Sequence, residues 1–296
     1  GNSESRRKTY SHDVIADKAL EFIRRNKDAP FFCYMPFTVP HLELLAPEDS
    51  VAPYRGKLEE EAYIDPRKHY ADQPDARATY AGMVSRLDRD VGRVLSLLKE
   101  LRLDENTIVF FTSDNGSAVP LWGKDYFRST GGLRGHKQNL YEGGIRVPMI
   151  ARWPDRVPKN AVSDHPWAFW DVLPTLCDLA GVKPPGFIDG RSQLSVILGK
   201  KQQPASSFYW EQPRFKAGEP IDEAPMQAAR IGDWKAVRPQ ANGQLELYNL
   251  RVDPHEASDQ ASANPEMLAR FETFLKSART KPRSQPDPPQ DFRKPS

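Results

Sequence analysis

Asp114 and Asn115 close the run Thr107-Ile-Val-Phe-Phe-Thr-Ser-Asp114-Asn115-Gly116. An apolar stretch with the composition of a β-strand runs directly into an Asp-Asn-Gly turn. Ligands of open α/β sheets bind outside the carboxyl ends of strands. A carboxylate beside an amide oxygen is a hard donor pair suited to Ca2+ or Mg2+, and Gly116 lets the backbone turn back sharply. The same three residues also make an ordinary turn anywhere. A second stretch is Gly131-Gly-Leu-Arg134-Gly135-His136-Lys137-Gln-Asn-Leu-Tyr141-Glu142-Gly143-Gly144-Ile-Arg146-Val-Pro148. Its glycines imply special backbone angles or close approach to a ligand. Arg134, Lys137 and Arg146 can bind an anion, Lys as a point charge and Arg by its fork; the alternative is a glycine-rich connection with solvated cations. A third stretch, Phe31-Phe-Cys-Tyr-Met-Pro-Phe-Thr-Val-Pro40-His41, sets a histidine just past a strand-like run. His41 is placed to act as a general acid or anion donor, or to bond a loop. His12, His69, His165 and His255 lack such context and read as structural.

The elements that must position these residues follow from periodicity. Ile15, Ala19, Phe22 and Ile23 recur at helical spacing behind Ser11 and Asp13, with Arg24 and Arg25 in the last turn. Phe31–Met35, between Pro30 and Pro36, reads as a buried strand. Tyr80, Val84, Leu87, Val91, Val94 and Leu98 give one apolar face to a long helix starting near Pro74. Thr107–Thr112 and Val147–Ala151 are further strand-like runs, and Asp171 caps a short helix stopped by Gly181. This β–α–β rhythm predicts an α/β domain over residues 10–199 with a parallel or mixed sheet. After residue 200 the character changes. Phe208–Glu211, Met226–Ile231, Trp234–Arg238 and Leu245–Tyr248 predict a small antiparallel sheet, with Gly232-Asp233 as a hairpin turn. Asn264 and Pro265 open one last helix. The chain thus reads as an α/β domain plus a small α+β subdomain over 200–280, followed by a Pro-rich tail over 281–296.

Composition narrows the function class. In 296 residues, 42 Lys and Arg against 40 Asp and Glu leave +2, which argues against a nucleic-acid-binding domain. Hydrophobic residues at 39% suffice for a sizeable core, and 27 prolines imply many rigid loops. Two cysteines exclude a disulfide framework, and no apolar run reaches the ~18 residues of a membrane span.

Taken in order, the Pro-His41 loop, Thr-Ser-Asp114-Asn115-Gly and Gly-His-Lys137…Tyr-Glu-Gly-Gly-Ile-Arg-Val-Pro resemble the type I sulfatases. These are the arylsulfatase family of the alkaline phosphatase-like superfamily. Leu87-Asp88…Val91-Gly92 and Asp171-Val-Leu-Pro-Thr-Leu-Cys-Asp-Leu-Ala-Gly match further. Leu245-Glu-Leu-Tyr-Asn-Leu-Arg-Val-Asp253-Pro-His-Glu256 resembles the family's carboxy-terminal signature. The resemblance implies an alkaline phosphatase-like mixed sheet flanked by helices, present here incompletely. It implies that Asp114 and Asn115 are two ligands of a Ca2+ ion, with Mg2+ as the other candidate. It implies that Lys137 holds the sulfate and that His41 serves the leaving-group oxygen. The expected activity is sulfuric ester hydrolysis of a sulfated carbohydrate or an aryl sulfate.

One departure bears on that expectation. The family's nucleophile is a formylglycine made from Cys or Ser in Cys/Ser-x-Pro-x-Arg, and neither Cys33 nor Cys177 nor any Ser stands in such a motif. The family's Asp-Asp metal pair and Lys-x-His segment are missing too. The chain therefore reads as the carboxy-terminal two thirds of a sulfatase, expected to be inactive alone and to need the amino-terminal part as partner. Two alternatives are a non-catalytic sulfatase-like binding module and a phosphodiesterase or phosphonate hydrolase of the same superfamily. The resemblance implies a periplasmic or secreted location, although the chain opens on Gly-Asn-Ser with neither initiator Met nor signal peptide. Neither nucleic acid nor membrane is expected as a partner, and exposed strand edges leave the isolated chain expected to be either a homo-oligomer through that surface or only marginally stable. Trp122, Tyr126 and Trp210, with the loop Pro213–Pro225, are candidate sugar contacts, each also explicable by packing.

Overall fold

The computed structural model describes residues 8–66, 68–118, 125–205, 207–212, 215–216, 219–220 and 225–280. In chain order the elements are α1 (Ser11–Arg25), α2 (Glu48–Val51), α3 (Ala76–Glu100), β1 (Val109–Thr112), α4 (Glu142–Ile145), β2 (Met149–Arg152), α5 (Val172–Leu179) and α6 (Leu194–Ile197). They continue with β3 (Phe208–Gln212), β4 (Phe215–Lys216), β5 (Glu219–Pro220), β6 (Met226–Ile231), β7 (Trp234–Arg238), β8 (Glu246–Asn249) and α7 (Pro265–Ala278). The chain divides into two compact units. One comprises Gly1–Ser129 and Arg146–Pro204, the other Thr130–Ile145 and Ala205–Ser296. The fold class is mixed α/β with a small antiparallel sheet, as the sequence suggests. The tail over 281–296 and Trp122 lie outside the described residues.

In the first unit, α1 packs on the long helix α3. The buried stripe of α3 is not the apolar row expected from spacing. Met83, Arg86, Asp90, Val94 and Leu97 are buried, whereas Val84 is 41% exposed. The cause is charge pairing with α1. Arg86 donates twice to Asp13, at 2.7 Å each, and again to Asp49 at 2.9 Å. Asp90, fully buried, accepts from Arg89 and Arg93 and lies 2.9 Å from His12 Nε2. His12 is therefore a structural residue of the helix interface.

Phe31–Met35 is extended but forms no ladder among the described residues. It is not the buried strand expected: its sides alternate. Phe31, Cys33 and Met35 pack with Ile23, Val94, Leu97 and Leu98, while Phe32 (68% exposed) and Tyr34 (75%) face outward. An apolar run specifies an extended segment, but burial of its second face requires a neighbour. The strand pair of this unit is antiparallel, β1 on β2, with Val109 opposite Arg152 and Thr112 opposite Met149. It does not show the parallel pairing that a β–α–β rhythm suggests. Arg152 anchors it by two bonds to Asp104, at 2.7 and 2.8 Å. Asp171 precedes α5 without a side-chain cap; its carboxylate instead accepts from Ala168 N, Arg191 N and Gln193 Nε2.

In the second unit the sheet order is β3-β6-β7-β8, all antiparallel. The β6–β7 hairpin turns at Gly232, whose φ of 61° suits a residue without Cβ. One face carries Ala229, Ala236 and Leu247 against Phe271 and Leu275 of α7. The other carries Ala228, Val237 and Tyr248 against Leu140, Tyr141 and Ile145. The glycine-rich segment thus serves as the second cover of the sheet, which is why it groups with the carboxy-terminal strands. Among the described residues no helix is long and apolar enough to cross a membrane.

Candidate functional site

Asp114 and Asn115 stand just past the carboxyl end of β1. Thr112 Oγ1 bonds Pro148 O at 2.9 Å and Ser113 Oγ bonds Asn115 O at 3.1 Å, closing the turn from both sides. Asn115 Nδ2 donates to Gly116 O at 3.0 Å, which leaves its Oδ1 as the free end of the amide. Asp114 is exposed and makes no side-chain bond to a described residue. Two hard oxygen donors side by side fit a Ca2+ or Mg2+ ion chemically. They fill only part of a shell of about six to eight oxygens. No cluster of three or more His, Cys, Asp or Glu occurs among the described residues. The pair therefore fits as part of a cation site.

His41 follows Pro40 on a loop of the same unit, over a cluster of Val39, Leu44, Tyr63, Ala76 and Met83. Its Nδ1 contacts Leu42 O. That leaves Nε2 as the ring nitrogen without a bond to a described residue. The ring meets Tyr70 edge-on, with centroids 6.3 Å apart. Tyr70 is held in turn by the buried Asp65, whose Oδ2 accepts from His69 N and Tyr70 N at 2.6 and 2.7 Å.

Lys137 belongs to the second unit. It sits in a tight turn in which Asn139 N bonds His136 O at 2.9 Å and His136 N bonds Asn139 Oδ1 at 3.1 Å. The residue is half-buried, and its ammonium has no hydrogen bond or ion pair to any described residue. The cations around it are otherwise committed. Arg134 lies 3.9 Å over the Tyr141 ring and donates to Tyr248 Oη and Glu256 O, at 2.7 and 2.9 Å. Tyr141 and Tyr248 both donate to Glu246 Oε2 at 2.6 Å. Burial first, and the Glu246 carboxylate second, push both phenols well above their ordinary 10.0.

Behind the turn lies a feature that the sequence pattern conceals. Lys235 of β7 has no exposed surface and pairs with Glu142 and Glu256, each at 2.8 Å. Glu256 also accepts from Glu142 N at 2.7 Å. Burial raises the Glu256 carboxyl, and the Lys235 charge opposes that shift. Glu256 further holds a φ of 53°, the left-handed region that non-glycine residues avoid. Glu142 and Glu256 stand inside the two motifs quoted above. Lys235 carried no signal except its place at an inward-facing position of an alternating strand.

The expected site residues thus fall on three loops: His41 and the Asp114-Asn115 pair in the first unit, and Lys137 in the second. Among the aromatic candidates, Trp210 packs beside Leu140, Val237 and Tyr248 and stacks on Phe208, with centroids 5.9 Å apart. It is core. Tyr126 is 40% exposed and lies under Arg77, whose guanidinium is 4.4 Å from the ring. Most of Pro213–Pro225 lies outside the described residues.

Comparison with known proteins identifies the architecture. The sulfatase family model matches residues 1–182, and the model "N-sulphoglucosamine sulphohydrolase, C-terminal" matches residues 135–281. N-acetylgalactosamine-6-sulfatase of Canis lupus familiaris is 36% identical over 201 residues, covering 67% of this chain and 34% of that protein. A sulfatase of Formosa agariphila is 30% identical over 272 residues, covering 86% of this chain and 46% of that protein. A crystal structure of Ps i-CgsB in complex with k-i-k-neocarrahexaose superposes with a TM-score of 0.75 at 26% identity. It covers 92% of this chain and 55% of that one. The chain spans between a third and a half of the length of these two relatives. With the family model matching more than half of its residues, the chain belongs to the sulfatase family.

Proposed function

We propose that this chain forms part of the active site of a sulfuric ester hydrolase acting on sulfated carbohydrates. The observation that carries the reading is Lys137, a half-buried lysine whose ammonium has no described partner, on a turn fixed by hydrogen bonds between His136 and Asn139. A sulfate monoester is anionic. As a nucleophile supplied from outside these residues bonds to sulfur and the S–O bond to the sugar breaks, negative charge builds on the sulfur-bound oxygens and on the leaving oxygen. Lys137 donates from Nζ to a sulfate oxygen and balances that charge. His41, with Nδ1 against Leu42 O, acts as the imidazolium: it gives its Nε2 proton to the leaving oxygen, is left as the neutral ring, and the sugar departs as an alcohol. Asp114 and Asn115 hold part of a divalent cation's shell through Oδ atoms. When bound, that cation adds positive charge beside the sulfate. No Cys/Ser-x-Pro-x-Arg occurs in these 296 residues, and no step is assigned to a nucleophile here. The carbohydrate assignment is supported by the names of the canine relative and of the oligosaccharide complex. The expected periplasmic or secreted location belongs to the same reading.

Titration of the purified chain with inorganic sulfate tests it. The expectation is saturable binding that Lys137→Ala removes at nearly unchanged stability, because the ammonium group leaves no described partner behind. A chromogenic aryl sulfate stays intact with the chain alone. Sulfate binding equal in Lys137→Ala, or metal-dependent turnover by the chain alone, refutes the assignment. Methylphosphonate binding in preference to sulfate moves it to the phosphonate hydrolases.

A further inference from the structure

We infer that Lys235, together with Glu142 and Glu256, is a positioning device for Lys137: a buried ion triad that fixes from behind the turn on which the anion-holding cation stands. The inference rests on the reading of Lys137 given above. Lys235 touches no candidate site residue; it acts through the backbone. Its ammonium joins Glu142, the first residue of α4, to Glu256 on the segment that follows β8. Glu142 N, bonded to Glu256 Oε2, ties the start of α4 to the same carboxylate.

From α4 the constraint passes to the turn through two glycines. Gly143 N donates to Arg134 O at 2.7 Å. A Cβ on Gly143 would stand 2.6 Å from Arg134 O and 2.8 Å from Leu133 O. One on Gly144 would stand 2.5 Å from His136 O and closer still to Asn139 O. The carbonyls of residues 133–136 and of Asn139 therefore rest directly on the backbone of α4. Lys137 lies between two of those contacts, so a displacement of Glu142 displaces the turn with it.

Stability alone does not account for the charges. A buried triad of ions is often no more stable than apolar residues of the same volume. A triad of close ion pairs, tied by the bonds from Lys235 to Glu142 and from Glu142 N to Glu256, differs from an apolar trio in holding one register only, which is the property a positioned cation needs. The arrangement parallels metal sites, where the groups that orient a ligand matter nearly as much as the ligand itself.

The test uses the full chain and two probes. Lys235→Met alone strands two buried carboxylates and is expected to unfold the unit. The informative variant is Lys235→Met/Glu142→Gln/Glu256→Gln, which removes all three charges at similar volume. Hydrogen exchange is followed at the amides of 134–145 and, as reference, at the β6–β7 hairpin. Binding of inorganic sulfate is measured in parallel, with Lys137→Ala as control. The expected result is exchange accelerated about tenfold or more at 134–145, the hairpin unchanged, and sulfate affinity down by a similar factor. Native exchange at 134–145 in the triple variant overturns the positioning role, whatever sulfate does. Acceleration spread equally over the hairpin also overturns it, because that marks a structural role only. If Lys137→Ala binds sulfate like the native chain, the reading of Lys137 fails, while the exchange comparison still decides the role of Lys235.

Discussion

Replacing Gly144 by alanine adds one methyl group where the structure has no room for it. The new Cβ would stand 2.5 Å from His136 O, against the 3.4 Å at which ordinary contact begins. The obstacle is backbone on both sides, so no side chain can swing away. The turn carrying Lys137 has to retreat by about 0.9 Å at His136 O and by more at Asn139 O, or α4 has to leave the sheet. Overpacking of this kind costs about 1–3 kcal/mol. With a urea dependence of about 2 kcal/mol per molar for a unit of this size, the midpoint falls by about 0.5–1.5 M. The position itself is helical, so the φ of alanine adds no penalty and the loss is steric. The assay is urea unfolding followed by tryptophan fluorescence, with amide shifts of 134–139 read in the native state. Gly232→Ala is the contrast: its Cβ meets nothing within 4 Å but must adopt a φ of 61°, and it should leave the 134–139 shifts alone. A Gly144→Ala chain with native stability and native shifts at 134–139 would refute the claim that the turn rests on α4.

Acid should weaken the first unit through its helix pair. Hydrogen bonds from Arg86 hold Asp13 below its ordinary 3.8. Burial acts to raise Asp90, and hydrogen bonds from Arg89 and Arg93 more than reverse it, so Asp90 too lies below 3.8. With folded values depressed, the unfolded chain takes up protons first; the stabilisation is complete above about pH 4–5 and is lost as pH falls through the folded values. Denaturation midpoints across pH 2–6 should show this slope, and Asp13→Asn should flatten part of it; a pH-independent midpoint contradicts it. The outward side chains of Phe32, Tyr34 and Ile150 leave apolar surface exposed beside β1 and β2. Light scattering is expected to show the isolated chain associating, and Phe32→Ser/Tyr34→Ser to reduce it; a strict monomer at high concentration overturns that expectation.

How far the fold was legible depended on whether a local signal was self-sufficient. The β6–β7 hairpin was, because Gly232-Asp233 and the alternation on either side agree. The last helix was too, because Asn264 and Pro265 mark its start. Phe31–Met35 was legible only as extended chain, since apolar residues announce a wish for burial and not the partner that grants it. The α3 stripe misled because Arg86 and Asp90 look solvent-facing until Asp13 and His12 arrive from α1, over seventy positions earlier. At the site, Asp114 and Asn115 past the end of a strand were readable from order alone. Lys235 was not: one lysine in a short strand reads as a surface residue, and its two partners are 93 and 21 positions away in opposite directions.

The sheet cover supplied by residues 130–145 also bears on how the chain is made. Those residues emerge from the ribosome 93 positions ahead of the lysine that Glu142 pairs with. At about 5–20 residues per second, the segment waits some 5–20 s for its sheet. During that interval Leu140, Tyr141 and Ile145 have no surface to cover, and Glu142 has no counter-ion. The second unit closes only when the strands through β8 and the Asp253–Glu256 turn have been synthesised. That interval exposes the segment that bears Lys137 before its sheet exists.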